Sequence, residues 1–145
     1  MSGRARLANE AWEALLRAHT VLMRRFTAAG LGDDISLKEY DVLYTLSKAE
    51  GGLRLTELNR DVLLSQPALS RMIDRLAERG LVSRCSDPRD GRGVIVALSE
   101  EGRKVQRDAG WRHGREVTRA VSDALDEQEM LRLAELLEKL SRGSS

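Results

Sequence analysis

LVSRCSDPRDGRGVIVALS, residues 81–99, decides the fold. Two short apolar runs, residues 81–86 and 94–98, flank the hexapeptide DPRDGR, residues 87–92. The runs read as strands, and the Asp, Pro and Gly between them suit a turn. The stretch is therefore expected to form a β-hairpin whose tip carries Arg89 and Arg92 beside Asp87 and Asp90. Two strands alone are marginal in water, so the hairpin must lean on helices with its tip projecting outward. Taken in isolation, a polar turn serving geometry alone explains it equally well.

The segment just upstream, SQPALSRMIDRLAER (residues 65–79), is the clearest helix in the chain. Leu69, Met72, Ile73 and Leu76 follow i, i+3, i+4, i+7 spacing, so one stripe is buried. Ser65 caps the start, Pro67 sits in the first turn where a missing N–H costs nothing, and Gly80 suits the position after the end. Before it, Thr56 is expected to cap a short helix running to about Val62, with Leu58 and Val62 buried. Leu63, Leu64 and Ser65 would form the turn between the two.

Two short helices joined by a tight turn are the ingredients of a helix-turn-helix. The exposed face of the second offers Gln66, Ala68, Ser70, Arg71, Asp74 and Arg75. Arginine bonds guanine edges bidentately and glutamine bonds adenine, while Ser and Ala make small contacts. The free N–H groups at the helix start suit a phosphate oxygen. Asp74 and Glu78 lie toward the other end. In this setting the hairpin reads as a wing. A narrow minor groove is electronegative and attracts arginine. Arg89 and Arg92 are the candidates, with Asp87 or Asp90 orienting an arginine by an ion pair.

The remaining segments read as helices. Residues 7–29 form the first, with Leu15, Leu22 and Phe26 near one face and Ala8, Ala11, Trp12 and His19 beside them. Gly30 and Gly32 end it. Ser36 and Glu39 form a capping box for a helix carrying Tyr40, Leu43, Tyr44 and Leu46, which stops before Gly51-Gly52. Residues 53–55 suit a one-rung strand. Ser99, with Gly102 beyond it, opens a long charged helix to about Leu125. Gly110 and Gly114 within it permit a bend, a close contact or a break. Asp126 and Glu129 form another capping box, and the last helix runs to Leu140 with Met130, Leu133, Ala134 and Leu137.

The expected architecture is mainly α with a small β-hairpin. It comprises an N-terminal helix (1–35), a winged helix-turn-helix (36–99) and C-terminal helices (100–145). The chain has 145 residues, 41% hydrophobic and 32% charged, which fits a folded domain rather than a disordered chain. Net charge is +1, so any nucleic-acid argument must come from local charge. Residues 54–92 hold eight arginines and six acids, a net of +2, so position matters more than sum. Residues 103–119 hold six basic and two acidic residues, a net of +4, read as a solvated helix face.

Other functional classes find little support. The single cysteine, Cys85, excludes an intrachain disulfide, and only Arg84 beside it favours a thiolate, so no redox role is assigned. Two histidines and one cysteine show no metal spacing, and neither a phosphate-binding loop nor a nucleophile elbow is present. No enzyme activity, cofactor or metal is expected. No apolar run approaches the roughly 18 residues of a membrane span, and no apolar stretch follows Arg4 and Arg6 as a secretory signal would need. A cytoplasmic protein is the default.

The run LTELNRDVLLSQPALSRMIDRLAERGLV, continued through DPRDGR to ALSEEG, resembles the MarR family of bacterial transcriptional regulators. The resemblance covers nearly the whole chain. Its most specific part is the recognition-helix pattern followed by Asp-x-Arg in the wing and a Leu-Ser-Glu-x-Gly helix start. It implies a winged helix-turn-helix flanked by terminal helices that form a two-fold dimer. It also implies binding of a near-palindromic double-stranded DNA operator, usually as a repressor relieved by a small ligand or an oxidant. By position, Ser65, Gln66, Pro67, Ala68, Ser70, Arg71 and Arg75 would enter the major groove. Arg89 would be the minor-groove residue of the wing, with Arg92 the second choice. The family's thiol sensors usually keep their cysteine in the first helix, which has none here. Asn59-Arg60-Asp61 departs from the pattern, since small residues are more usual there. The alternative is a winged-helix module used for protein contacts without DNA readout.

Two further expectations concern partners. The first helix and the last two carry more apolar surface than a monomer needs, so a homodimer would bury them together. A sensor pocket for a small aromatic or phenolic ligand is expected where the dimer helices meet the DNA-binding lobe. Trp12, His19, Tyr40, Tyr44, Trp111 and His113 are the candidates to stack on or hydrogen-bond it, against ordinary packing for each.

Overall fold

The computed structural model describes residues 2–62 and 64–144. The elements run α1 (Gly3–Ala29), α2 (Leu37–Ser47), β1 (Leu53–Arg54), α3 (Leu55–Asp61), α4 (Gln66–Glu78), β2 (Val82–Asp87), β3 (Asp90–Leu98), α5 (Glu100–Ser122) and α6 (Glu127–Gly143). The fold is mainly helical with a small antiparallel sheet forming a wing. Two compact units are distinguished: residues 27–113, and the chain up to Phe26 together with that from Gly114 onward. The boundary falls inside α5.

In the central unit the core gathers around α4. Leu69, Met72, Ile73 and Leu76, the stripe expected from the sequence, are all buried. They meet Val42, Leu43 and Leu46 of α2, Leu58 of α3, Val62 just after it, and Val96 and Leu98 of β3 in one cluster. The ends of α4 are set by local chemistry. Ser65 Oγ accepts from the Ala68 N–H at 3.3 Å. At the other end the Gly80 N–H donates to Ala77 O and the Leu81 N–H donates to Leu76 O. This pair is a Schellman closure, and Gly80 takes the positive φ of 74° that it requires. Leu63, expected in the turn before α4, lies outside the described residues.

The sheet has three strands in the order β1-β3-β2. Leu53 faces Val96 and Arg54 faces Ile95, so the short stretch read as a one-rung strand supplies the third strand. The hairpin thus gains a partner on its open side, and β3 becomes the central strand. β2 pairs with β3 from Val82↔Leu98 to Ser86↔Val94, and the register then shifts so that Asp87 faces Asp90. Residues 91–93 lie in that shift.

Several boundaries differ from the sequence reading. The strands were expected to end at Ser86 and resume at Val94, but Asp87 closes β2 and Asp90 opens β3, so the turn narrows to Pro88-Arg89. α1 begins at Gly3 rather than residue 7, because Ser2 Oγ accepts from the Ala5 N–H at 3.1 Å. Thr56 does not cap α3; the helix begins at Leu55, and the Glu57 carboxylate accepts from the Arg54 N–H at 3.0 Å. α5 continues through Gly110 and Gly114 without a break but stops at Ser122, before Leu125. Gly110 serves close contact, since a Cβ there would meet Tyr40 Oη at 3.0 Å. The capping boxes of Ser36 with Glu39 and Asp126 with Glu129 both form.

In the terminal unit α6 has no buried residue, and Leu133, Leu136 and Leu140 are exposed. Along α1 only Phe26 is buried, while Leu7, Trp12, Leu16 and Val21 are exposed. Among the described residues, no helix is long and apolar enough to cross a membrane.

Candidate nucleic-acid interface

The solvent side of α4 lies opposite its buried stripe. Ser65, Gln66, Pro67, Arg71, Asp74 and Arg75 are exposed there, while Ala68 and Ser70 are half-buried at the margin. Pro67, Arg71 and Arg75 follow one another at successive turns, so both arginines project on one side. Among the described residues neither arginine pairs with a carboxylate. Asp74 instead pairs with Arg84 of β2, which ties the outer side of α4 to the wing and neutralises an acid on the arginine-bearing face.

The wing is held from its base. Asp87 is buried at 3% exposure, although it sits next to the turn. Its Oδ1 accepts from the Arg89 N–H at 2.9 Å and lies 3.7 Å from Arg89 Nε. Its Oδ2 lies 3.1 Å from Arg54 Nε. Asp90 Oδ1 accepts from the Arg92 N–H at 3.1 Å, and Asp90 Oδ2 accepts from Arg54 Nη2 at 3.0 Å. The Arg92 N–H and the Arg54 guanidinium hold the Asp90 carboxyl below the usual carboxylate range. The Arg89 side chain remains 85% exposed. Its backbone is therefore fixed while its guanidinium stays in solvent. Gln66, Arg54, Thr56, Asp90 and Arg92 line one open cleft between the start of α4 and the wing.

Both carboxylates marked in the sequence as orienting groups thus bind arginine, but the cation they share is Arg54. Sequence reasoning missed it because Arg54 and Asp90 stand 36 positions apart and meet only through the β1–β3 pairing. No spacing motif signals such a contact. Arg79, at the end of α4, and Arg84 were missed for the same reason.

The aromatic candidates separate into groups. Tyr40 and Tyr44 of α2 stack with ring centroids 5.9 Å apart, and His113 of α5 meets Tyr40 edge-on at 5.4 Å. Lys48 Nζ lies 4.3 Å from the Tyr44 ring centroid. Burial raises the Tyr40 pKa against an opposing hydrogen bond with Gln106, and burial lowers that of His113. Trp111 is 66% exposed on α5. Trp12 and His19 are exposed on α1, in the other unit. Cys85 is exposed on β2.

Residues 33–93 match the family model described as MarR family. The chain is 30% identical over 107 residues to the multiple antibiotic resistance protein MarR of Salmonella typhimurium, covering 74% of each chain. It is similar to Sco3205, a MarR family transcriptional regulator from Streptomyces coelicolor solved in complex with DNA. That match has a TM-score of 0.82 and 27% identity over 99% of this chain and 89% of the other. It also shares its fold with BpsR of Bordetella bronchiseptica, whose DNA binding is regulated by 6-hydroxynicotinic acid. There the TM-score is 0.79 and the identity 23%, over 91% and 98% of the two chains.

Proposed function

This chain belongs to the MarR family of DNA-binding transcriptional regulators, and from that premise we propose that it is a homodimeric repressor of a near-palindromic operator, relieved by a small aromatic or phenolic ligand. As a member of a family of regulators it is not an enzyme. The observation that carries the proposal is the pairing of two arginine-bearing surfaces. α4 exposes Arg71 and Arg75 beside Gln66, and the wing exposes Arg89 on a backbone tied down by Asp87. Arg71 is assigned to base edges in the major groove, with Gln66, Ala68, Ser70 and Arg75 beside it and Ser65 and Pro67 at the phosphate end of the helix. Arg89, and Arg92 behind it, are assigned to the adjacent minor groove.

The homodimer is supported by the apolar side chains that α1 and α6 leave exposed. A second copy would cover them. It would set two recognition helices about 34–36 Å apart, one turn of DNA. Tyr40, Tyr44 and His113 are the ligand-contacting residues of this proposal, because their rings already meet and carry polar groups. Trp111, exposed on α5, is a further candidate. Cytoplasmic localisation follows from the operator as partner.

The test is fluorescence anisotropy with duplex DNA from upstream of the protein's own gene and a scrambled duplex, across a salt series. Binding to the first that persists above roughly 100 mM salt, and that a member of a panel of small aromatic acids and phenols reverses, is the expected result. Equal, salt-labile binding to both duplexes would count against this operator. An absence of release by every ligand would remove the ligand from the proposal.

A further inference from the structure

We propose that Arg54 is a positioning residue for DNA binding: it braces the wing from β1 and does not itself contact DNA. This inference rests on the reading of Arg89 and Arg92 as groove contacts. The guanidinium spans both wing carboxylates, Nε to Asp87 Oδ2 at 3.1 Å and Nη2 to Asp90 Oδ2 at 3.0 Å. Each carboxylate uses its other oxygen to accept a backbone N–H, from Arg89 and Arg92 respectively. One cation therefore fixes, through two acids, the main chain at both wing arginines. Arg54 is itself anchored, since its backbone pairs with Ile95 and its N–H donates to Glu57 at the start of α3. The brace thus joins the wing to the first helix of the helix-turn-helix.

Gly93 makes room for it. A Cβ at that position would lie 2.5 Å from Arg54 Nη2 and 3.1 Å from Asp87 Cβ. The side chain that could block the brace is absent at the point where the β2–β3 register shifts. Arg54 is also charge-compensated: Asp90 and the nearly fully buried Asp87 both face its guanidinium, Asp87 lying closer to Arg54 at 3.1 Å than to Arg89 Nε at 3.7 Å. A cation so neutralised has little left to offer a phosphate, whereas Arg89 remains 85% exposed.

The experiment measures operator affinity across a salt series for Arg54→Gln, the pair Arg89→Ala/Arg92→Ala, and all three together. Arg54→Gln is expected to weaken specific binding about tenfold while leaving the slope of log K against log salt unchanged. The wing pair should lower that slope by about 1–2, and adding Arg54→Gln to it should cost almost nothing more. Arg54→Lys should restore only part of the loss, since one ammonium cannot fork between two carboxylates. Asp90→Asn is the second variant should Arg54→Gln fail to fold, because Asp90 is exposed. It removes a negative charge near DNA, yet the brace requires it to weaken specific binding; tighter binding would overturn the inference. An Arg54→Gln loss that lowers the salt slope by about 1 and adds to the wing pair would make Arg54 a phosphate contact and overturn it too. So would unchanged affinity in Arg54→Gln. An intact affinity in Arg89→Ala/Arg92→Ala would instead overturn the wing reading, and this inference with it.

Discussion

Arg79 Nη2, at the C-terminal end of α4, donates to the main-chain carbonyl of Asp33 at 2.9 Å. Nη1 reaches the Asp34 carbonyl at 3.3 Å and lies 3.7 Å from Glu39 Oε2. Asp33 and Asp34 both hold a φ of 53°, which L residues adopt at a cost. The end of α4 thus steadies the strained loop between α1 and α2. Arg79→Ala is expected to lower stability by about 1 kcal/mol, since the pairs are partly exposed. Arg75→Ala, which breaks no ion pair, should sit near zero. A urea midpoint for each variant decides it, and equal midpoints would mean the loop does not depend on Arg79.

The floor under α4 is apolar and closed. Leu69 has no exposed surface. Leu69→Ala should cost about 2–5 kcal/mol, the range for truncating a buried leucine. Ser65→Ala should cost about 1 kcal/mol, through loss of the cap alone. Chemical denaturation orders the two; a Leu69→Ala cost below that of the cap would show that the core can collapse around the gap.

Burial lowers the His113 pKa below its ordinary 6.5. In the unfolded chain the imidazole therefore takes up a proton first as pH falls. Between the two pKa values the unfolded state binds more protons, so stability rises with pH there. The contribution is whole above about pH 6.5 and is lost as pH drops through the folded value. Asp90, also lowered, acts in a separate window below the ordinary carboxylate value of 3.8. His113→Gln should flatten the slope of stability between pH 7 and about pH 5. An unchanged slope would place the pH dependence elsewhere.

The two arginine surfaces should fail differently. Arg71→Ala is expected to cost about 1–3 kcal/mol of operator binding and to relax sequence choice at one position per half-site. Arg89→Ala should weaken binding mainly through the flanking sequence and lower the salt slope. Binding to an operator with systematically changed core and flanks separates them. Unchanged affinity in both variants would favour a module for protein contacts.

Leu133 and Leu136 are exposed on α6, along an apolar groove that also includes Leu125. If the proposed homodimer uses this groove, Leu133→Glu/Leu136→Glu should leave the protomer folded and make it sediment as a monomer where the parent sediments as a dimer. A variant that still sediments as a dimer would place the contact on another face.

Elements whose causes are local could be read from the residues alone. The α4 stripe, the Ser36 and Asp126 capping boxes, the Ser65 cap and the hairpin rest on residues a few positions apart, and each formed. The winged helix-turn-helix was legible from those pieces in order. The exposed arginines of α4 were legible too, because a helical period places them opposite a buried stripe, and those of the wing because turn residues set them at a hairpin tip. What the acids hold follows instead from how the strands pair. Asp87 and Asp90 were marked as partners of an arginine, but which arginine depends on β1 pairing with β3 across 36 positions of chain. The same holds for Asp74 with Arg84 and for Arg79 with the Asp33 carbonyl. The turn is likewise narrower than composition suggests, because the shifted β2–β3 register sets Asp87 opposite Asp90, which puts both within reach of Arg54. Ion pairs between distant segments leave no period and no spacing in a sequence; they exist only once the sheet register has brought the charges within reach.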